Sequence, residues 1–201
     1  MRFNNIVFIL LLSCLFLQCN NKDGQKEMFY SEINDSQRFV LDYPLVGNDN
    51  IFIYRNVSEA ADILENGRGI VFLGFKECPW CQLYAVFLHE VALEMGFDII
   101  YYCDIREDRQ NNSESYQRII RILTGHLQYD DEGRQRVYVP DVSIVSRGRI
   151  IARDFETSKE TLGYSTPQEY WNVERVNALK ERLRAGMSIL NEITSRSCSD
   201  C

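Results

Sequence analysis

The sequence predicts an α/β fold with a central mixed β-sheet flanked by helices. Three observations predict it. Helical and strand-like segments alternate along the chain. A continuous apolar run at 69–75 reads as a strand buried on both faces. A strand–turn–strand stretch at 137–153 adds a hairpin to strands that helices otherwise connect. The 201 residues suffice for one domain with appendages and for a real core. With 45% hydrophobic and 25% charged residues, the composition is that of a globular chain. The net charge of -7 argues against a nucleic-acid partner, whose phosphates need clustered Lys and Arg.

Residues 20–50 show no sustained periodicity and read as a tether and irregular lead-in. The run 51–54 is a short strand. Ser58 reads as an N-cap, Ala60, Ala61, Ile63 and Leu64 give an apolar face, and Asn66-Gly67 close that helix. After the strand at 69–75, Pro79 opens a helix that continues to Met95 and stops at Gly96. The run 97–103 (FDIIYYC) is β-rich. Ser113 caps a helix with Tyr116, Ile119, Ile120 and Leu123 at helical spacing. The polar stretch 124–136 reads as a long loop. The strand at 137–145 is interrupted by Pro140, turns at Arg147-Gly148 and returns at 149–153. From Thr166 or Pro167 an amphipathic helix runs to about Leu190, with Val176, Leu179, Leu183, Met187 and Leu190 on one stripe. A polar tail, 191–201, follows.

Seven cysteines stand out, too few for a disulfide scaffold at this length and unevenly placed. Cys14 and Cys19 flank the end of an apolar run at 6–17, preceded by Arg2. Twelve apolar residues fit a secretory signal better than a bilayer span of about 20. The segment resembles a bacterial lipoprotein signal, in which a lipidated Cys becomes the new N-terminus. Leu11-Leu12-Ser13-Cys14 matches that pattern, whereas Cys19 follows Gln18, which is not small, yet sits at the boundary with the polar tether. Either site implies export and an acyl anchor in the bacterial cell membrane, in a compartment that permits disulfides.

Glu77-Cys78-Pro79-Trp80-Cys81 follows a buried strand and opens a helix. A thiol at a helix N-terminus faces unpaired N–H groups and the positive end of the dipole, and both favour the thiolate. The second Cys, one turn on, can attack a mixed disulfide and release product. Cys78 is thus read as the attacking thiol and Cys81 as the resolving thiol. A structural zinc site would need two more ligands, and an inert disulfide would not need this position.

Residues from about 51 to 155 resemble the thioredoxin superfamily. The likeness is carried by VFLGFKECPWC at 71–81 and by VYVPDVSIV at 137–145 with the Arg147-Gly148 turn. It is nearest to small bacterial proteins of the bacteriocin transport accessory type, which also put a C-P-x-C after an apolar strand and a V-P-D-like segment later. The resemblance implies a thioredoxin-like domain over 51–190, between the signal (1–19) with its tether (20–50) and the Cys-containing tail (191–201). It implies a cis Pro140 beside the dithiol and a Val139 whose backbone meets the substrate chain. The sequence departs from thioredoxin itself: C-P-W-C replaces C-G-P-C, and Phe72 stands where an Asp is buried. Glutaredoxin's Gly-Gly-Asp after the proline strand is also missing.

The expected function is thiol–disulfide exchange with other exported proteins and an upstream redox partner, without a cofactor. Two alternatives stay open: a thioredoxin-like module that binds an export partner without catalysis, and a metal carrier using C-x-x-C pairs. Trp80 is either a substrate contact or a filler of the loop. Cys103 is either a buried inert thiol or a second resolving thiol. Cys198 and Cys201 form a second C-x-x-C, either a redox relay or a frayed, locally oxidised end. His89 reads as packed among apolar neighbours, with tuning of a thiolate as the alternative. Tyr170-Trp171 reads as a packing anchor.

Overall fold

The computed structural model describes residues 35–155 and 163–199, with side chains as far as residue 195. The elements run α1 (Ser36–Asp42), β1 (Phe52–Tyr54), α2 (Val57–Asn66), β2 (Arg68–Gly74), α3 (Pro79–Glu94), β3 (Ile100–Asp104), α4 (Arg106–Asn111), α5 (Glu114–Ile122), β4 (Gln128–Tyr129), β5 (Gln135–Arg136), β6 (Asp141–Ser146), β7 (Arg149–Asp154), α6 (Pro167–Tyr170) and α7 (Val173–Ser199). The expected mixed sheet is present, in the order β1-β3-β2-β6-β7. β1 and β2 both run parallel to β3. β6 is antiparallel to β2, and β7 to β6. β4 and β5 form a separate small hairpin.

Strand alternation divides the interior into two cores. In β2, Ile70 and Phe72 enter one core while Val71 and Leu73 enter the other. The first core is closed by Phe39 and Tyr43 of the α1 region, the inner face of α3, and Leu179, Leu183, Met187 and Leu190 of α7. The second is closed by α2 and α5, through Ala60, Leu64, Tyr116 and Ile119. β2 is covered on both sides, which is why its sequence is continuously apolar rather than alternating. Gly186 lets α7 approach the sheet: a Cβ there would lie 2.7 Å from both Ala152 Cβ and Ile144 Cδ1.

Several local expectations change. α1 lies within the stretch read as irregular lead-in. α2 is capped by Asn56 and not Ser58: the Asn56 side chain accepts from Glu59 N at 2.9 Å, and Glu59 accepts from Asn56 N at 2.8 Å. β3 begins at Ile100, because Phe97 N still donates to Ala92 O at the end of α3. The segment after β3 forms the short α4. The stretch read as one long loop holds the β4–β5 hairpin. The last helix is broken at Trp171 and restarts where Asn172 accepts from Arg175 N at 2.9 Å. It then continues to Ser199, so the stretch read as a polar tail is helical to that point. Among the described residues no helix is long and apolar enough to cross a membrane. The signal segment with Cys14 and Cys19, and Cys201, lie outside the described residues.

Candidate active site

β2 carries the chain out of the sheet, and a turn closed by Cys78 N donating to Phe75 O at 3.0 Å brings it to α3. Cys78 is the N-cap of that helix, with extended backbone, and Pro79 takes the first helical position, where no N–H is required. In place of the usual hydroxyl or carboxylate cap, Cys78 Sγ accepts from Cys81 N at 3.2 Å. Both cysteines are free thiols. Cys78 retains 5% exposure and Cys81 none, so only the first sulfur meets an incoming group.

The two thiols differ in acidity. A hydrogen bond from the Cys81 side chain holds the Cys78 thiol below the ordinary thiol range. The N–H groups of Cys81 and Trp80 and the charge of Arg109 add to this, against the opposing effect of burial. Burial pushes Cys81 well above that range, and its hydrogen bond to Cys78 and the Cys78 charge push the same way. The site therefore holds a nucleophile and a proton-retaining partner one helical turn apart.

β6 pairs antiparallel with β2 with Leu73 opposite Asp141. The Val139–Pro140 peptide, one residue before Asp141, thus lies at the end of β2 from which the Cys78 loop leaves. That peptide is cis. Val139 packs against the core cluster that contains both thiols. Trp80 is half-buried and meets Tyr170 of α6 edge-on, with centroids 5.5 Å apart, so its ring is held by the fold as well as set beside the dithiol. Trp171 packs edge-on against Phe87 at 5.3 Å, in keeping with an anchoring role for the Tyr170-Trp171 pair.

The structure separates the other candidates from this centre. Cys103 is fully buried in the second core, across the sheet from Cys78 and Cys81, and burial raises its thiol well above the ordinary range. It cannot serve as a second resolving thiol in this fold. His89 is buried on α3 beside Phe52, with ring centroids 6.0 Å apart, and burial lowers its basicity. It lies three helical turns beyond Cys78, about 16 Å along the axis. Cys198 lies in the last turn of α7, and Cys201 beyond it is outside the described residues. Among the described residues no three His, Cys, Asp or Glu side chains gather as a metal site.

Two contributors escape the sequence reading. Arg109, on α4, places its guanidinium 4.9 Å from the Phe75 ring centroid and donates from Nη1 to Val137 O at 3.3 Å. It thereby bridges the strand exit before Cys78 and the segment before Val139, and its charge favours the thiolate. Tyr43 and Tyr102 are buried with their hydroxyls 3.1 Å apart, and a Cβ at Gly74 would lie 3.2 Å from the Tyr43 hydroxyl. Burial raises both phenols, which stay neutral under the thiols. Asp141, next to Pro140, is fully buried with Arg153, whose Nε donates to Asp141 Oδ1 at 3.1 Å.

No protein-family model and no curated protein matches the chain.

Proposed function

We propose that this chain is a thioredoxin-like thiol–disulfide oxidoreductase acting on exported proteins through Cys78 and Cys81. The observation that carries the reading is the inequality of the two thiols: a sulfur of lowered pKa that keeps slight exposure caps α3, and a fully buried sulfur of raised pKa donates to it. The strand order β1-β3-β2-β6-β7 and the cis Val139–Pro140 peptide beside the loop support the thioredoxin-like assignment.

The chemistry balances as a two-electron exchange. The Cys78 thiolate attacks one sulfur of a substrate disulfide, whose S–S bond breaks, and the released substrate thiolate takes a proton. Cys81 then gives up its proton and attacks Cys78 Sγ. The mixed disulfide breaks, the second substrate thiol departs, and the Cys78–Cys81 disulfide remains. An upstream redox partner returns it to the dithiol; run in reverse, the same steps oxidise a substrate dithiol. Trp80, Val139 and Pro140 line the approach to Cys78 and hold the substrate chain. No cofactor enters, and no nucleic acid. A lipid on Cys14 or Cys19 holds the domain at the outer face of the bacterial cell membrane.

The test is trapping. Cys81→Ser should accumulate a mixed disulfide through Cys78 with exported proteins and lose turnover in insulin reduction by roughly 100-fold or more. Cys78→Ser should trap nothing. Insulin reduction that survives Cys78→Ser intact would sink Cys78 as the nucleophile, and a parent protein that neither reduces insulin nor traps partners would leave a binding module.

A further inference from the structure

A cavity of about 460 Å³ opens between α4, α5 and the β4–β5 hairpin. Arg109 and Arg136 line it together with Tyr116, Gln117 and Gln135. Neither Arg109 nor Arg136 makes an ion pair among the described residues, and the Nε of each is buried without an acceptor. Tyr116 uses a hydroxyl lone pair to accept from Val137 N at 3.1 Å, and its own hydrogen has no acceptor among the described residues. Arg109 Nη1 is taken by Val137 O and Arg136 lies over the Tyr138 ring at 5.5 Å, so the cavity is bordered by two cationic side chains without a counter-ion among the described residues and by the Tyr116 hydroxyl. Buried donors left without acceptors are unfavourable, and two adjacent guanidiniums repel. Burial and then the neighbouring charge of Arg136 both push the Arg109 guanidinium toward the neutral form, which an anion would reverse.

We propose that this cavity is a carboxylate-binding subsite that receives an Asp or Glu side chain of the substrate chain while its cysteine meets Cys78. The proposal rests on the oxidoreductase reading for what enters, and on the cavity alone for what is bound. Guanidinium forks match a carboxylate in bidentate geometry, and the Gln117 and Gln135 amides can add donors. Asp130 and Arg134 also line the cavity and are paired with each other at 3.0 Å, so they leave Arg109 and Arg136 as its uncompensated charges. Position supplies the link to the chemistry. Arg109 lies over Phe75, three residues before Cys78, and holds Val137 O, two residues before Val139. A substrate strand passing along Val139 therefore carries a nearby acidic side chain to the cavity mouth. The patch is basic within a chain of net charge -7, so it orients acidic segments locally without attracting them to the whole surface.

Binding and reaction are measured separately, on the full chain. Cys78→Ser is titrated with a peptide carrying Glu near a central Ala, and with its Gln twin. The Glu peptide should bind at least tenfold more tightly at low salt. That ratio should fall to within twofold in Arg136→Gln and survive in Arg136→Lys, which keeps the charge. Equal binding of the twins, no binding of either, or a ratio unchanged by Arg136→Gln overturns the subsite. Displacement by inorganic phosphate but not by acetate overturns its carboxylate assignment. In parallel, Cys81→Ser is mixed with the same peptides as disulfides. Equal mixed-disulfide rates count against the subsite and leave the redox reading standing. A Glu preference in binding with no mixed disulfide from either twin sinks the redox reading and leaves the subsite.

Discussion

A sulfur that caps a helix is read by its neighbours before it is read by substrate. Cys78 accepts hydrogen bonds from the Cys81 side chain and from backbone N–H groups at the start of α3, and it lies in the field of Arg109. Each favours the ionised form, so reactivity persists to lower pH than for a free thiol and is lost as pH falls through the lowered pKa. Alkylation of Cys78 by iodoacetamide should reach half its limiting rate clearly below the free-thiol value of about 8.5. Cys81 should resist alkylation across the same range, because burial keeps it protonated. In Arg109→Gln the Cys78 midpoint should rise, and Arg109→Lys should restore part of the shift. A Cys78 midpoint at or above the free-thiol value would remove the basis for calling it the nucleophile. At this scale the two thiols and the special proline were legible, because C-x-x-C at a strand-to-helix junction and a proline inside a strand are local signals. Arg109 and Tyr43 were not. Their stretches carry no apolar period, and their significance comes from what the fold brings beside Cys78.

Elements were legible in proportion to how much apolar surface they bury. β2, α3 and the amphipathic part of α7 declared themselves, since each presents several core residues in a row or on one stripe. Short polar elements did not: α4 buries no residue, and the β4–β5 hairpin has two-residue strands. The start of α2 shows how competing caps are resolved. Asn56 and Ser58 both suit a cap, but only Asn56 has Glu59 three residues on to return the hydrogen bond. Asn56→Ala should destabilise the fold by about 1 kcal/mol, whereas Ser58→Ala should change stability by less than about 0.5 kcal/mol. Urea unfolding of the two variants checks this, and equal losses would return the cap to Ser58. At the other end of the chain, the close approach of α7 to β6 and β7 needs a residue without a side chain. Gly186→Val should cost about 1–3 kcal/mol through overpacking against Ile144 and Ala152, even though it removes a flexible residue from a helix. A thermal scan showing no loss would mean that α7 has room beside Ile144 and Ala152 for a side chain.

At the scale of the whole molecule, the sheet is a partition and α7 a strut, and both decide which cysteines can meet. The partition isolates Cys103 from the dithiol. The strut runs parallel to α3: Lys180 pairs with Glu90 at 2.6 Å, Arg184 with Glu94 at 2.8 Å, and Asn191 donates to Met95 O at 3.0 Å. α3 begins at the dithiol, so α7 carries its own C-terminus away from it. Cys78 and Met95 are separated by roughly 25 Å of helix, and Cys198 lies about two turns past Asn191. The backbone of Cys198 is therefore on the order of 35 Å from Cys78, whereas disulfide exchange needs Cα atoms within about 7 Å. Spacing in the sequence could not reveal this, because it gives the pairing of cysteines but not the direction in which a helix leaves the site. Relay from Cys198 and Cys201 to Cys78 within one chain would require the last turns of α7, from Asn191 on, to unwind and fold back about 25 Å along α3, with loss of the Asn191 hydrogen bond to Met95 O. Those turns would have to give up their helical hydrogen bonds at every turnover to close a distance that the folded helix holds open. The double variant Cys198→Ser, Cys201→Ser should thus keep insulin reduction and mixed-disulfide trapping within twofold of the parent. A tenfold loss at low protein concentration would mean that the last turns of α7 do unwind and fold back to the dithiol. A loss that appears only as protein concentration rises would place the exchange between two molecules, with the tail of one serving the dithiol of another.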